Sequence, residues 1–375
     1  MKFRKPGQKI GFLGGGQLAR MMALHAHQLG FQVHVLCQSA LEPAAQVTPH
    51  WHQGYPNNFE DLEKFLKKVD FVTCESEFYK GDVLKKASAS TKTPLFPSPE
   101  IMSELQDRWT QKKSFEEFGL PTAPFFLIND TDSFETACDF FKYKVVFKKR
   151  HGGYDGNGTY ILKSKKDKEK ILSQLSEINF HVIAEAFVPF RRELAAIFVR
   201  DQFGTISSLP LVETHQKNSR CDWVRGPTKH PAWAKMKTRI EAWLEEKNYV
   251  GAIAFEFFDT GKNLLINESA PRVHNSGHYS EQALEFSQFE LHVRAVAGLP
   301  LPQENKLLSP QFVMVNLLGE SEQDVEFPKN HAGYLHWYGK DQNHKGRKMG
   351  HLNFLGKNSN QLLKFALKER KRMKL

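Results

Sequence analysis

Residues 252–268 constrain the fold most. Ala252 to Phe258, AIAFEFF, is a near-continuous apolar run with one charge, Glu256. Asp259-Thr-Gly-Lys262 supplies a turn, and Leu264 to Asn267 is a second apolar run that leads into Glu268. Two short runs split by a Gly-containing turn predict an antiparallel hairpin. The hairpin brings Glu256 and Glu268 onto adjacent strands. Carboxylates held close repel unless a cation lies between them. Mg²⁺ prefers carboxylate oxygens and shares its other positions with substrate phosphates. The strand register is open at this stage, so the closeness of the two carboxylates is an inference.

The second strand runs on into a polar loop. Leu264 to His278, LLINESAPRVHNSGH, carries Glu268, Arg272, two histidines (His274, His278) and two amides (Asn267, Asn275). Such a cluster is costly to bury unless each group has a partner, and it reads as an active site rather than a polar turn.

At 375 residues the chain exceeds the ~100–200 residues of one domain, so two or three domains are expected. Charged residues are 25% and hydrophobic ones 40%, as in ordinary folded proteins. No apolar run approaches the ~18 residues of a membrane span, and the apolar stretch near the start stops at Leu13. Neither a membrane nor an export signal is expected. The four cysteines, Cys37, Cys74, Cys138 and Cys221, are scattered without a CxxC pair. That pattern predicts a reducing cytoplasm and no structural zinc. A net charge of +10 raises nucleic acid as a partner. No zinc-finger or RRM signature accompanies it, so dispersed surface lysine is the better reading. The basic tail KFALKERKRMKL reads as a solvated helix end.

Taken in order, Lys9 to Leu13 reads as a buried strand, Gly14-Gly15-Gly16 as a turn, Gln17 to Leu29 as a helix and Gln32 to Leu36 as a strand. This is the opening of a parallel α/β layer. The glycine loop could cradle a single phosphate; the acid expected for a dinucleotide ribose is missing from the end of the second strand. Glu75 and Glu77 follow the strand Asp70 to Cys74. PLFPSP, 94–99, reads as a rigid connector. Two helices, Glu100 to Arg108 and one ending at Gly119, come next. Lys144 to Lys149 is a β-branched strand bearing Lys148, followed by the glycine-rich His151 to Thr159. Walker A is absent, but a mobile glycine flap beside a strand lysine is another way to cover phosphates. Val182 to Glu185 is a strand. Glu281 to Val296 reads as one long amphipathic helix, and three short strands follow: Phe312 to Leu317, Ala332 to Tyr338 and His351 to Leu355. Gly339-Lys340 and Gly346-Arg347-Lys348 put cations beside glycines, a plausible phosphate grip.

With these residues assembled the chain resembles the ATP-grasp superfamily, and within it the enzymes that carboxylate aminoimidazole ribonucleotide in purine biosynthesis. The resemblance rests on GFLGGGQLARM, TCESE, QDRWTQK, GGYDGNG, EAFVPFRREL, FEFF, NESAPRVHNSGH, SQFELHVRAVAGLPL, HWYGK and GRKMGH, in that order along nearly the whole chain. It implies an α/β fold, α+β in the grasp: an N-terminal Rossmann-like parallel domain (1–100), an ATP-grasp domain (101–300) and a small C-terminal β-rich domain (301–375). It also implies a cytoplasmic homodimer using ATP, Mg²⁺ and bicarbonate. Bicarbonate takes the γ-phosphate of ATP to give carboxyphosphate, which transfers to the ribonucleotide amine directly or through CO2.

By this resemblance Arg108, Lys148, Glu185, Ala186, Phe187, Val188 and Glu193 would bind the nucleotide. The flap Gly153, Tyr154, Asp155, Gly156, Asn157, Gly158 and Thr159 would fold over its phosphates, with Asn267 and either His215 or Gln216 nearby. Glu256 and Glu268 would hold Mg²⁺. Asp155 and His274 would manage the amine proton. Glu75 (or Glu77), Tyr154, Arg272, His274, Asn275 and Ser276 would shape the ribonucleotide and bicarbonate pocket, and Lys340 and Arg347 would grip the 5′-phosphate. The chain departs from the pattern at Asn157, where the family usually has Lys or Arg. Two other readings stand beside this one: a ligase working through a different acyl phosphate, and a nucleotide-binding paralogue of weak activity.

Overall fold

The computed structural model describes residues 5–153, 156–322 and 325–375. The chain opens with β1 (Lys9–Leu13), α1 (Gln17–Gln28), β2 (Gln32–Cys37), β3 (His50–Gln53), α2 (Phe59–Leu66), β4 (Phe71–Cys74), α3 (Gly81–Thr91) and β5 (Leu95–Phe96). The strands form a parallel sheet in the order β3-β2-β1-β4-β5. Strand order reverses beside β1, so the glycine turn after β1 and the acidic turn after β4 meet at the carboxyl edge, where α/β sheets place ligands. Two helices follow, α4 (Pro99–Gln106) and α5 (Arg108–Glu117). Ser98 caps α4 with proline at its first position, and Asp107 caps α5 through Trp109 N–H at 2.9 Å.

A small antiparallel sheet comprises β6 (Phe125–Ile128), β7 (Val145–Lys149), β8 (Thr159–Leu162) and β9 (Val182–Ala186), with α6 (Thr131–Phe140) and α7 (Lys168–Ser176) between them. Its order is β6-β9-β7-β8. Phe147 and Ala184 pack outward on Phe134 of α6 and Leu175 of α7. Alternation along each strand then turns Lys148 and Glu185 to the other face.

The large sheet contains β10 (Arg192–Arg200), β11 (Ile206–Ser208), β12 (Val212–Lys217), β13 (Arg220–Gly226), β14 (Gly251–Asp259) and β15 (Leu264–Ala270), with α8 (Trp233–Glu246) laid across one face. Phe255 and Phe257 of β14 bury against Ile240 and Trp243 of α8. The sheet continues through β16 (Gln311–Leu318), β17 (Tyr334–Trp337) and β18 (Lys348–Gly356), because β13 pairs with β16. The last strands are therefore an extension of the grasp sheet. The closing helix, α11 (Ser359–Arg370), packs Ala366 over Val315 and Leu352.

One expectation fails. The single helix Glu281 to Val296 is two, α9 (Ser280–Ala283) and α10 (Gln288–Ala297). Leu284 leaves the helix to bridge Leu307, and Ser287 restarts it by accepting from Glu290 N–H at 3.2 Å. Tertiary pairing overrides a continuous apolar stripe. The break matters, since α10 packs on α1 and shares a core with it: Met22 and Ala26 with Phe289 and Val293.

Candidate active site

Glu256 and Glu268 are direct cross-strand partners on β14 and β15, which settles the register. Glu193 lies on the same face of neighbouring β10, two residues before Ala195, the partner of Glu256. Three carboxylates thus share one wall of a cleft. Burial pushes Glu256 up to about 8, with the charge of Glu268 adding to it, and pushes Glu193 up to about 6. Glu268 moves the opposite way: burial alone would raise it, but Arg108 and Lys148 outweigh that. Arg108 Nη2 donates to Glu268 Oε2 at 2.7 Å. The Glu268 side chain keeps 38% exposure, so solvent in the cleft reaches it although protein surrounds it.

The small sheet supplies the opposite wall. Lys148 Nζ donates to Asn267 Oδ1 at 2.8 Å and to Glu185 Oε2 at 3.1 Å, so it spans the two sheets. Lys112 of α5 meets the same Glu185 oxygen at 3.3 Å. These lysines hold Glu185 below the usual carboxylate range against the upward push of burial. Downstream of Glu185, Ala186 and Val188 are half-buried and Phe187 is exposed.

The glycine flap joins both walls. Gly153 O accepts from Arg108 Nη2 at 3.4 Å, and a Cβ on Gly153 would stand 3.1 Å from Arg108 Nη1. Gly156 has φ +78, and a Cβ there would come within 2.4 Å of Ser219 Oγ, so the flap rests on the β12–β13 hairpin. Asn157 is exposed, Gly158 approaches Lys149, and Thr159 pairs with Lys148. Tyr154 and Asp155 lie outside the described residues. In the β12–β13 hairpin the register slips between His215 and Gln216; His215 is exposed and stacks on Trp223 at 5.0 Å, while Gln216 is half-buried.

The polar loop closes the third side. Gln288 of α10 clamps its backbone, accepting from His274 N at 2.8 Å and donating to His274 O at 2.8 Å. A Cβ at Gly277 would lie 2.8 Å from the Gln288 carboxamide, hence glycine there. His274 Nδ1 accepts from Ser276 N–H at 3.3 Å. The remaining proton of a neutral ring then sits on Nε2, 3.7 Å from Glu256 Oε1. Burial, with Arg272 and Lys348 nearby, holds the His274 pKa well below its ordinary value. Asn275 and Asn316 exchange amide hydrogen bonds at 3.0 and 2.6 Å in a buried pair.

Glu75 and Glu77 take different places. Glu77 receives Arg272 through two nitrogens, Nη2 at 2.9 Å among them. Glu75 instead fills the glycine turn: Gly16 N–H donates to it at 2.7 Å and Ala19 N–H at 3.2 Å. Any Cβ at Gly14 or Gly16 would collide with it, at 2.4 and 2.6 Å. The anion the turn cradles is the chain's own carboxylate. Lys340 lies beside this edge, over the Tyr338 ring at 5.8 Å, and burial followed by Arg347 and Lys348 pushes it down to about 8. Arg347 Nη1 donates to Gln342 O at 2.6 Å.

This donor set suits Mg²⁺. Two facing carboxylates, one pushed toward protonation by burial and then by its neighbour's charge, are relieved by a divalent cation, and Mg²⁺ needs only one or two protein carboxylates when phosphates complete its shell. Among the described residues no cluster of three or more His, Cys, Asp or Glu side chains is arranged to hold a metal by itself. Sequence reasoning missed one cation of the cleft, Lys112, and gave Lys348 only as part of a phosphate grip. Lys112 ends the quoted stretch QDRWTQK, and helical spacing from Arg108 puts both on one face. Lys348 bears on both Glu256 and His274.

The chain is similar to known proteins along most of its length. Residues 7–106 match the ribonucleotide synthetase preATP-grasp domain, 113–289 the ATP-grasp domain and 313–364 the phosphoribosylaminoimidazole carboxylase C-terminal domain. The N5-carboxyaminoimidazole ribonucleotide synthase of Synechococcus elongatus is 36% identical, over 92% of this chain and 89% of that one. The N5-carboxyaminoimidazole synthetase of Staphylococcus aureus, solved with ADP, superposes with a TM-score of 0.90 at 30% identity, covering 99% of each chain. The Aspergillus clavatus N5-carboxyaminoimidazole synthase, solved with ADP and 5-aminoimidazole ribonucleotide, gives 0.83 at 26% identity, over 98% of this chain and 99% of that one.

Proposed function

The chain belongs to the N5-carboxyaminoimidazole ribonucleotide synthase family of ATP-grasp ligases, and on that premise we propose how its cleft works. The activity is ATP- and bicarbonate-dependent carboxylation of 5-aminoimidazole ribonucleotide in purine biosynthesis, a carbon–nitrogen ligation. The observation that carries the residue assignment is the pairing of Glu256 with Glu268 between a cation-bearing sheet and the His274 loop.

ATP lies between the two sheets, its base near Glu185 to Val188 and its ribose at Glu193. Arg108, Lys148 and the backbone of the flap, Gly153 to Thr159, receive the phosphates. Arg108 then exchanges Glu268 for phosphate, and Glu268 with Glu256 is freed to hold Mg²⁺, Asn267 being nearby. Mg²⁺ when bound spreads the phosphate charge. Bicarbonate oxygen attacks the γ-phosphorus, the bond to the β-phosphate oxygen breaks, and ADP leaves with carboxyphosphate behind it. The ribonucleotide amine then bonds to the carboxyl carbon, phosphate departs, and the amine gives up a proton.

His274, neutral and protonated at Nε2, donates to a carboxyl oxygen, which assigns removal of the amine proton to Asp155. Arg272, neutralised behind by Glu77, faces bicarbonate, with Tyr154 and Ser276. Lys340 and Arg347 take the 5′-phosphate, next to Glu75. Excluding water protects the short-lived carboxyphosphate, and preplaced cations serve its charge. We place the enzyme in the cytoplasm, as its four cysteines are free and buried, and as a homodimer by likeness to its family.

ADP release measured against a panel of co-substrates tests the proposal. Release that needs both bicarbonate and aminoimidazole ribonucleotide supports it; equal release with formate or an amino acid assigns another acyl phosphate, and binding without turnover assigns a nucleotide-binding paralogue.

A further inference from the structure

Lys112 is the most deeply set cation around the cleft. Its side chain keeps 2% exposure, against 11% for Lys148. Nζ donates to Thr122 Oγ1 at 2.6 Å, and the Thr122 hydroxyl hydrogen goes on to Ile266 O at 2.8 Å, so lone pairs face the ammonium. Ile266 belongs to β15 and Glu185 to β9. Lys112 is thus fixed by the large sheet and grips a carboxylate of the small one, 3.3 Å away.

The pairing is lopsided. Both lysines fall on Glu185 Oε2, while the buried Oε1 has no hydrogen-bond partner. A carboxylate buried for stability alone rarely leaves an oxygen unserved, because an unsatisfied buried acceptor costs free energy. An apolar pair of similar volume is often at least as stable as a buried ion pair. The open oxygen points to a donor that arrives from outside the chain. An ionised carboxylate can only accept. It therefore favours an exocyclic amine and disfavours a carbonyl oxygen at the same place.

We propose that Lys112 is a positioning residue for nucleotide selection: by holding Glu185 Oε2 it keeps Oε1 ionised and aimed at the amine of a 6-aminopurine triphosphate, and so excludes 6-oxopurines. The inference rests on the reading of the cleft as the ATP site. The two lysines divide the work. Lys148, nearer solvent and shared with Asn267, turns to the phosphates on binding. Lys112, tied to Thr122 and more deeply buried, stays as the counter-charge of Glu185. Without it Glu185 takes up a proton more readily, becomes a donor and accepts a 6-oxo group.

The test compares ATP with inosine triphosphate, which differs at the 6-position and carries a proton on N1. Kinetics and calorimetric binding of ADP and IDP are measured on wild type, Lys112→Met, Lys112→Gln, Glu185→Gln and the Lys112→Met/Glu185→Gln pair. Lys112→Met is expected to raise the KM for ATP about tenfold or more, to leave kcat within about threefold, and to shrink the ATP preference about tenfold or more. In the Glu185→Gln background it is expected to change the preference little further, since the lysine acts through that carboxylate. If Lys112→Met does not fold, Lys112→Gln and Glu185→Gln must both lose preference. A folded variant that keeps the wild-type ATP preference, or Lys112 and Glu185 effects that simply add, overturns the proposal. Diphosphate binding reads base selection without the ligation, so a failure of the carboxylation reading shows separately as wild type that selects ADP over IDP but does not turn over.

Discussion

Arg108 sits on Glu268 and not on Glu256, although the two carboxylates face each other across one strand pair. Arg108, with Lys148, holds the one charged, while burial and then the charge of Glu268 push the other toward its protonated form. The site stores a mismatch that a divalent cation and a phosphate chain relieve together.

The first consequence is a pH dependence of the free protein. Folded Glu256 holds its proton up to about 8, from an ordinary value of 4.5, and Glu193 up to about 6. Between the ordinary and the folded values these two groups bind more protons in the folded state, so their contribution to stability falls as pH rises; buried His274, His278, His292 and His351, held below the ordinary histidine value, work the other way at the acid end. Read as a difference, which cancels the histidines, the urea midpoint of wild type is expected to fall relative to that of Glu256→Gln between pH 5 and 8, and Mg²⁺ with ADP to reverse much of that fall.

Arg108→Met is expected to raise the KM for ATP at least about tenfold, as a charged contact to phosphate is lost. It also strips Glu268 of its counter-ion. The free variant is expected to lose about 1–3 kcal/mol of stability, read by denaturation, and Arg108→Met/Glu268→Gln to recover part of it.

Lys340 titrates near the working range. Burial sets its pKa at about 8, so its charge fades as pH rises through that value. The KM for the ribonucleotide is expected to climb above pH 8, and Lys340→Arg to abolish the climb. An unchanged profile in the arginine variant would detach Lys340 from the 5′-phosphate.

The Asn275–Asn316 pair ties the polar loop to β16. Asn316→Ala leaves the Asn275 amide unsatisfied in a buried place and is expected to cost about 1–3 kcal/mol of stability. Its kcat is expected to fall with it, because the loop carries His274; Asn316→Asp, which turns an acceptor toward Asn275 Oδ1 and Cys221 O, is expected to cost at least as much.

Much of this was legible in the sequence, for local reasons. The turn at 259–262 and the apolar runs beside it specified the hairpin, and β1, α1 and β2 follow from periodicity and a glycine stop. The register of Glu256 with Glu268 was not legible, because it depends on a bulge after Glu256. Nor was the place of β10 to β13: they pair locally with one another, but the contacts that set them in the sheet, β10 with β14 and β13 with β16, join strands distant in sequence. The break at Leu284 comes from a partner at Leu307. Glu75 and Glu77 look alike in TCESE, yet one caps a helix and the other pairs with Arg272; only packing separates them. Lys112 acts across elements, on a carboxylate of another sheet, so spacing alone did not single it out.

The central claim is that this cleft joins a carbon from bicarbonate to the ribonucleotide amine at the expense of ATP held by Glu256 and Glu268. The direct measurement is NMR of a reaction containing ¹³C-bicarbonate, ATP, Mg²⁺ and aminoimidazole ribonucleotide labelled with ¹⁵N at its amine. Wild type is predicted to yield a carboxyl ¹³C signal split by one-bond coupling to ¹⁵N, growing in step with ADP and lost in Glu268→Gln. ADP formation with no coupled signal, or a coupled signal undiminished in Glu268→Gln, would contradict the account.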